Sequence, residues 1–158
     1  NIPYQDKVTL KAARTSLTLK IRKPSREIYE RSLKVRNSPA DTKFEHSLER
    51  IFADRAIQFY EEWPDQVEVP LQVFRIGDLG IRGIPFEVFT ETGLELKSKS
   101  IFKNNFTISF ANGSFGYLAT PAQHKLGGYE TWLTVTKVEE NASEKIVSEL
   151  QRLEKKVK

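Results

Sequence analysis

Whatever chemistry this chain performs, it performs without thiols. Its 158 residues include no Cys and no Met and only 2 His, which removes disulfides, thiolate metal sites and cysteine nucleophiles together. A zinc site or histidine-dependent triad built from this chain alone would have to use His46 or His124. His46 follows Glu45 on a predicted helix, away from the Phe44/Leu48 stripe, and reads as a solvated histidine. His124 falls in a Gly-bounded loop and reads as a surface residue. There is no Gly-rich phosphate loop, no HExxH and no GxSxG. Asn105-Phe106-Thr107, Asn112-Gly113-Ser114 and Asn141-Ala142-Ser143 match the glycosylation acceptor, a pattern short enough to recur by chance, and are read as turns or caps. The small residues Ala111-Asn112-Gly113-Ser114 follow a predicted strand, a place where functional loops gather.

The elements that must position such residues follow from periodicity. Ser16 to Ile21 alternates like a strand with one wet face, and Ser25 is a plausible N-cap for a helix to about Arg36. Phe44, Leu48, Ile51, Phe52, Ala56 and Phe59 recur at helical steps, predicting a helix from about Asp41 to Glu62. Val67 to Val73 and Leu79 to Ile84 read as a hairpin turning at Gly77-Asp78. A helix from Pro85 to about Lys99, a strand over Phe106 to Phe110, a loop from Pro121 to Gly128 and a strand from Trp132 to Val138 come next. Ile146, Val147, Leu150, Leu153 and Val157 form a final amphipathic helix with Ser143 as its expected N-cap. Strands alternate with helices, so the fold class is α/β, a mixed β-sheet with helices packed on it.

The net charge of +4 is dispersed. Lys and Arg are interspersed with Asp and Glu up to Glu62, and the cations from Arg152 to Lys158 sit where a helix dipole favours them. No basic stripe interleaved with aromatics is present, so no nucleic-acid partner is expected. No apolar run approaches the ~18 residues of a membrane helix, so no transmembrane segment is expected. The start at Asn1 and the lack of Met suggest a processed chain or a piece of something longer.

The order of segments from Val69 to Trp132 carries more information than any one of them. Val69-Pro70-Leu71-Gln72-Val73-Phe74-Arg75-Ile76-Gly77-Asp78, then Ile84-Pro85-Phe86-Glu87-Val88-Phe89-Thr90-Glu91-Thr92-Gly93, then Ala111-Asn112-Gly113-Ser114-Phe115-Gly116-Tyr117-Leu118-Ala119-Thr120, then Gly127-Gly128-Tyr129-Glu130-Thr131, resembles the neutral/alkaline non-lysosomal ceramidase family, in its ceramidase-like branch. The motif-bearing segment is 68–134. The resemblance implies that residues 1–158 are a single domain or the carboxyl-terminal portion of a larger layered α/β catalytic domain. It implies a zinc-dependent hydrolase of N-acyl, lipid-type amides, secreted or periplasmic. By the same resemblance Glu87 and Tyr117 fall on zinc ligands and Tyr129 on an oxyanion-stabilising tyrosine, with the spacing of twelve between the two tyrosines kept. A hard carboxylate and a phenolate suit zinc, and a neutral tyrosine hydroxyl suits a developing oxyanion.

Phe86 stands where the family has glycine, and Ser114 where it has a tyrosine; a bulky Phe86 is expected to reshape the pocket. Two alternatives stay open for the site residues: Glu87 as a charge favouring a helix N-terminus, and Tyr117 and Tyr129 as packing residues. The resemblance places the two histidine ligands and the serine nucleophile in an amino-terminal half that is missing from these 158 residues. That half is the expected partner. The zinc of the intact protein is therefore not expected to be held tightly by this chain alone, nor is the chain alone expected to be active. The competing reading is a non-catalytic structural or ligand-binding module of the same fold.

Overall fold

The structure, a computed structural model, describes Tyr4 and residues 6–158. Strand β1 (Leu10–Lys20) starts earlier than the alternation from Ser16 suggests and turns Ala13, Thr15, Leu17 and Leu19 inward. Helix α1 (Arg26–Arg36) begins where expected, with the Ser25 hydroxyl accepting the Ile28 N–H. Helix α2 (Glu49–Glu61) is shorter than predicted. Over Asp41–Leu48 the chain is turns and bends, because local contacts compete with the helix: His46 Nδ1 accepts the Leu48 N–H at 3.1 Å, and the Arg50 guanidinium lies over the Phe44 ring.

Strands β2 (Gln66–Ile76) and β3 (Leu79–Ile84) form the predicted hairpin. A two-residue strand β4 (Glu87–Val88) precedes helix α3 (Thr90–Lys99), so the predicted helix from Pro85 starts five residues late. Strand β5 (Asn104–Ser109) and a second two-residue strand β6 (Tyr117–Leu118) follow. The segment predicted as a loop contains helix α4 (Pro121–Leu126), with Thr120 as N-cap and Pro at its start, and then a 3-10 turn at Tyr129–Thr131. Residues 132–138 are not a strand. Hydrogen bonds from the Val135 and Thr136 N–H groups both return to the Trp132 carbonyl and coil the segment into a turn. Helix α5 (Ala142–Lys156) ends the fold; its N-cap position is Asn141, and Ser143 is buried in its first turn.

The main sheet has the order β1-β2-β3-β5. The first two pairings are antiparallel, and β5 joins β3 in parallel after the α3 crossover. This is the expected mixed sheet with helices on it. Its inner face, with Leu19, Val69, Leu71, Val73 and Ile84, packs with Leu96 of α3 and Ile146, Leu150 and Leu153 of α5 into one core. Gly80 makes room in that layer: a Cβ there would lie 2.5 Å from the Phe102 ring.

The outer face is divided. Near Lys20, Thr18, Gln66 and Glu68 it is polar, whereas Leu10, Phe74, Ile76, Phe106 and Ile108 form an exposed apolar half. No described helix is long and apolar enough to cross a membrane.

Arg82 of β3 and Glu154 of α5, each 1% exposed, pair at 2.8 Å inside the core. Removing one member of such a pair strands a charge, so Glu154→Ala should destabilise the fold by about 3–5 kcal/mol. The double change Arg82→Met with Glu154→Leu should recover much of that loss; chemical denaturation of both variants tests the difference.

Candidate functional site

The parallel pair β4–β6 places Glu87 beside Tyr117 in register, so the two side chains leave the small sheet on the same face. The Glu87 N–H donates to the Gly116 carbonyl at 2.9 Å, and the Tyr117 N–H to the Val135 carbonyl at 3.2 Å. Gly116 has φ +87°, and a Cβ on it would stand 2.3 Å from the Val135 carbonyl oxygen, so only glycine admits this approach. The Glu87 carboxylate, by accepting the Tyr117 hydroxyl proton in a hydrogen bond, pushes the phenol's pKa up; desolvation and the charges of Glu87 and Glu130 add to it.

Tyr129, in the 3-10 turn, sets its ring edge-on to Tyr117 with centroids 6.3 Å apart. It also meets Phe52 and Trp132 edge-on, and it remains 45% exposed. Glu87, Tyr117 and Tyr129 thus line one cleft of about 340 Å³, with Ser114 and Phe110 at the loop side and Arg55, Thr134 and Lys137 among its walls. The structure brings together the three residues singled out from the sequence.

Glu87 does not sit in the first turn of α3. The acidic residue there is Glu91, which removes the helix-terminus alternative. Phe86 does not reshape the cleft either: it is fully buried, points into the core, and packs its ring 5.6 Å from that of Phe115.

The histidines lie apart from the three. His46 is in the turn before α2 rather than on the helix, edge-on to Trp132. It borders a larger groove of about 580 Å³ between α1 and α2, lined mainly by apolar residues and by Arg31 and Glu49, which neutralise one another at 3.0 Å. His124 is on α4, partly buried with Nε2 unpartnered, and desolvation followed by the Arg22 charge holds its pKa below the usual range. Among the described residues no group of three His, Cys, Asp or Glu could hold a metal. Of the cleft's lining, Glu87 and Tyr117 offer a cation one carboxylate and one phenol, two ligands that suit zinc by type but are fewer than its usual set.

The cleft also holds residues that sequence patterns did not flag. Thr134 has φ +72° and Phe110 φ +55°, unusual conformations for a β-branched and an aromatic residue. The Thr134 hydroxyl is buried without a partner. Strained residues of this kind collect at functional sites. Asn105, read as a turn, is instead in β5, where it accepts from Arg82 and donates to the Phe102 carbonyl at 2.8 Å.

No protein-family model matches the chain, and no curated protein does. Among solved structures, "Ceramidase complexed with C2" superposes on 77% of this chain with a TM-score of 0.51 and 15% sequence identity. The chain has a ceramidase-like fold. The matched part makes up 18% of that ceramidase, so the chain spans less than a fifth of its length.

If the Glu87 carboxylate is what raises the Tyr117 phenol, Glu87→Gln should lower its pKa toward the ordinary tyrosine value. Phenolate absorbance followed through an alkaline titration, with Tyr117→Phe assigning the signal, measures it; an unmoved titration would mean the pair is not coupled.

Proposed function

We propose that this chain supplies one half of the reaction site of a ceramidase-like, zinc-dependent hydrolase of N-acyl, lipid-type amides. The nucleophile and two histidine ligands come from an amino-terminal part of the same protein. The observation that carries the reading is the convergence of Glu87, Tyr117 and Tyr129 on one cleft although a helix and a strand separate the first two in sequence. The ceramidase-like fold supports it. So does the apolar half of the outer sheet face, beside the one-sided edge strand β5, because a parallel edge with exposed phenylalanine and isoleucine is a surface that further layers of a domain cover.

Glu87 and Tyr117 would hold the ion. When bound, zinc supplies Lewis-acid polarisation of the amide carbonyl. The two residues are register partners on one face of the small sheet and line the same cleft, and zinc accepts both a carboxylate and a phenolate. The Tyr129 hydroxyl can donate a hydrogen bond to the oxyanion that develops as the carbonyl is attacked. The rings of Tyr129, Trp63 and Phe110 give the cleft apolar walls, and Phe52 and Trp132 back the Tyr129 ring edge-on from outside it.

The chain alone should turn over no fluorogenic N-acyl amide. Joined to the histidine-bearing part, it should show zinc-dependent hydrolysis, and Tyr129→Phe should reduce kcat roughly 10²–10³-fold, the worth of one oxyanion donor. Zinc-dependent turnover by the isolated chain, lost on Glu87→Ala, would disprove the divided site.

A further inference from the structure

The cleft holds two cations that the proposed hydrolysis leaves without a task. Lys137 lays its stem over Gly116, with Cγ and Cε both 3.5 Å from where a Cβ would stand, and its ammonium lies 5.1 Å from the Trp63 ring centre. Arg55 enters from α2, its guanidinium 5.7 Å from the Phe52 ring centre. Both line the same cleft as Glu87. Neither forms an ion pair with a carboxylate among the described residues.

We propose that Lys137 and Arg55 form an anion subsite on the wall of this cleft, taking a carboxylate or phosphate group of the ligand. Where the ligand is an amide, which rests on the hydrolase reading, the anionic group lies on the same molecule as the scissile bond.

Two like charges brought together in a concavity repel, and burial removes the water that would screen the lysine. Both effects hold the Lys137 pKa below its usual range, desolvation first and then the Arg55 charge. A bound anion relieves both. Glu87 does not serve in its place, because its carboxylate makes no ion pair with either cation. Thr134, on the same wall, has a buried hydroxyl with no partner and a left-handed backbone, so a donor is held in an unfavourable conformation beside the two cations. A planar guanidinium and a mobile ammonium together suit an oxygen anion better than they suit a neutral hydroxyl.

The test is direct binding, without metal or turnover. The isotopically labelled chain is titrated with N-acetylglycine, with the phosphate ester of N-acetylethanolamine, and with neutral N-acetylethanolamine, following backbone amide shifts. The anionic amides should saturate shifts around Lys137 and Thr134, and the neutral one should bind roughly tenfold more weakly or not at all. The first two ligands tell a carboxylate site from a phosphate site. Arg55→Gln, at an exposed position that leaves the fold intact, should weaken the anionic amides about tenfold. Lys137→Gln should do the same, and Lys137→Arg should restore binding. Equal affinity for the neutral amide, or affinity indifferent to both Gln variants, would overturn the subsite. If the anions bind but no hydrolysis follows when the histidine-bearing part is supplied, the subsite stands and the hydrolase reading falls; hydrolysis with no preference for anionic amides gives the reverse.

Discussion

The buried ion pair between Arg82 and Glu154 holds the layers of this domain together. Glu154 accepts from Arg82 Nη1 at 2.8 Å, from the Ser100 hydroxyl at 2.9 Å and from the Ile101 N–H at 3.1 Å. Arg82 also donates to the Leu96 carbonyl at the end of α3 and to the Asn105 side chain on β5. One guanidinium and one carboxylate thereby tie β3, α3, β5 and α5 to a common point. Burial alone would lower the arginine's pKa, and the glutamate's charge opposes that fall. Few arrangements bring three donors to one carboxylate inside a core, and here Arg82 Nε is left without a partner, so the pair specifies how the layers meet more than it adds net stability. From β3 the chain runs directly through Pro85 and Phe86 to Glu87, and the position of the cleft therefore depends on this anchor.

Around the cleft, the backbone is shaped by approach rather than by regular ladders. β4 and β6 have two residues each, and their neighbours are irregular: Gly116 against Val135, Thr134 in the left-handed region, and the turn that returns to Trp132. Such a segment holds its form only when the packing around it overdetermines it. Ala119, Val135 and Val138 are buried, as is Phe86, so that packing is present on the side away from solvent.

Much of the fold was legible in the sequence. The Ser25 cap, the turn at Gly77-Asp78 and the stripe of Ile146, Leu150 and Leu153 are local signals with local causes, and each produced its element. The failures have causes that a linear pattern does not contain. Phe44 and Leu48 keep helical spacing, yet the segment is pulled into turns by contacts with Arg50 and His46. Trp132 to Val138 alternates like a strand and is bent by Thr134. Thr120-Pro121 carries the signature of a helix start, which a reading of Pro121 to Gly128 as a loop passes over. Of the site, Glu87, Tyr117 and Tyr129 were reached through their resemblance to a family pattern. Arg55, Lys137 and Thr134 were not, because only tertiary approach brings α2 and the turn after Trp132 to the same cleft.

The shortness of the β4–β6 ladder has a consequence for errors in folding. Alternate residues of a strand face opposite ways, so Glu87 and Tyr117 look out while their neighbours Phe86 and Leu118 are wholly enclosed. A slip of one position would offer a phenyl ring to water and drive a carboxylate into hydrocarbon. Two residues of ladder give little adhesion of their own, yet the penalty for misalignment is that of a misplaced core. The hydrocarbon behind the sheet thus proofreads the polar chemistry in front of it.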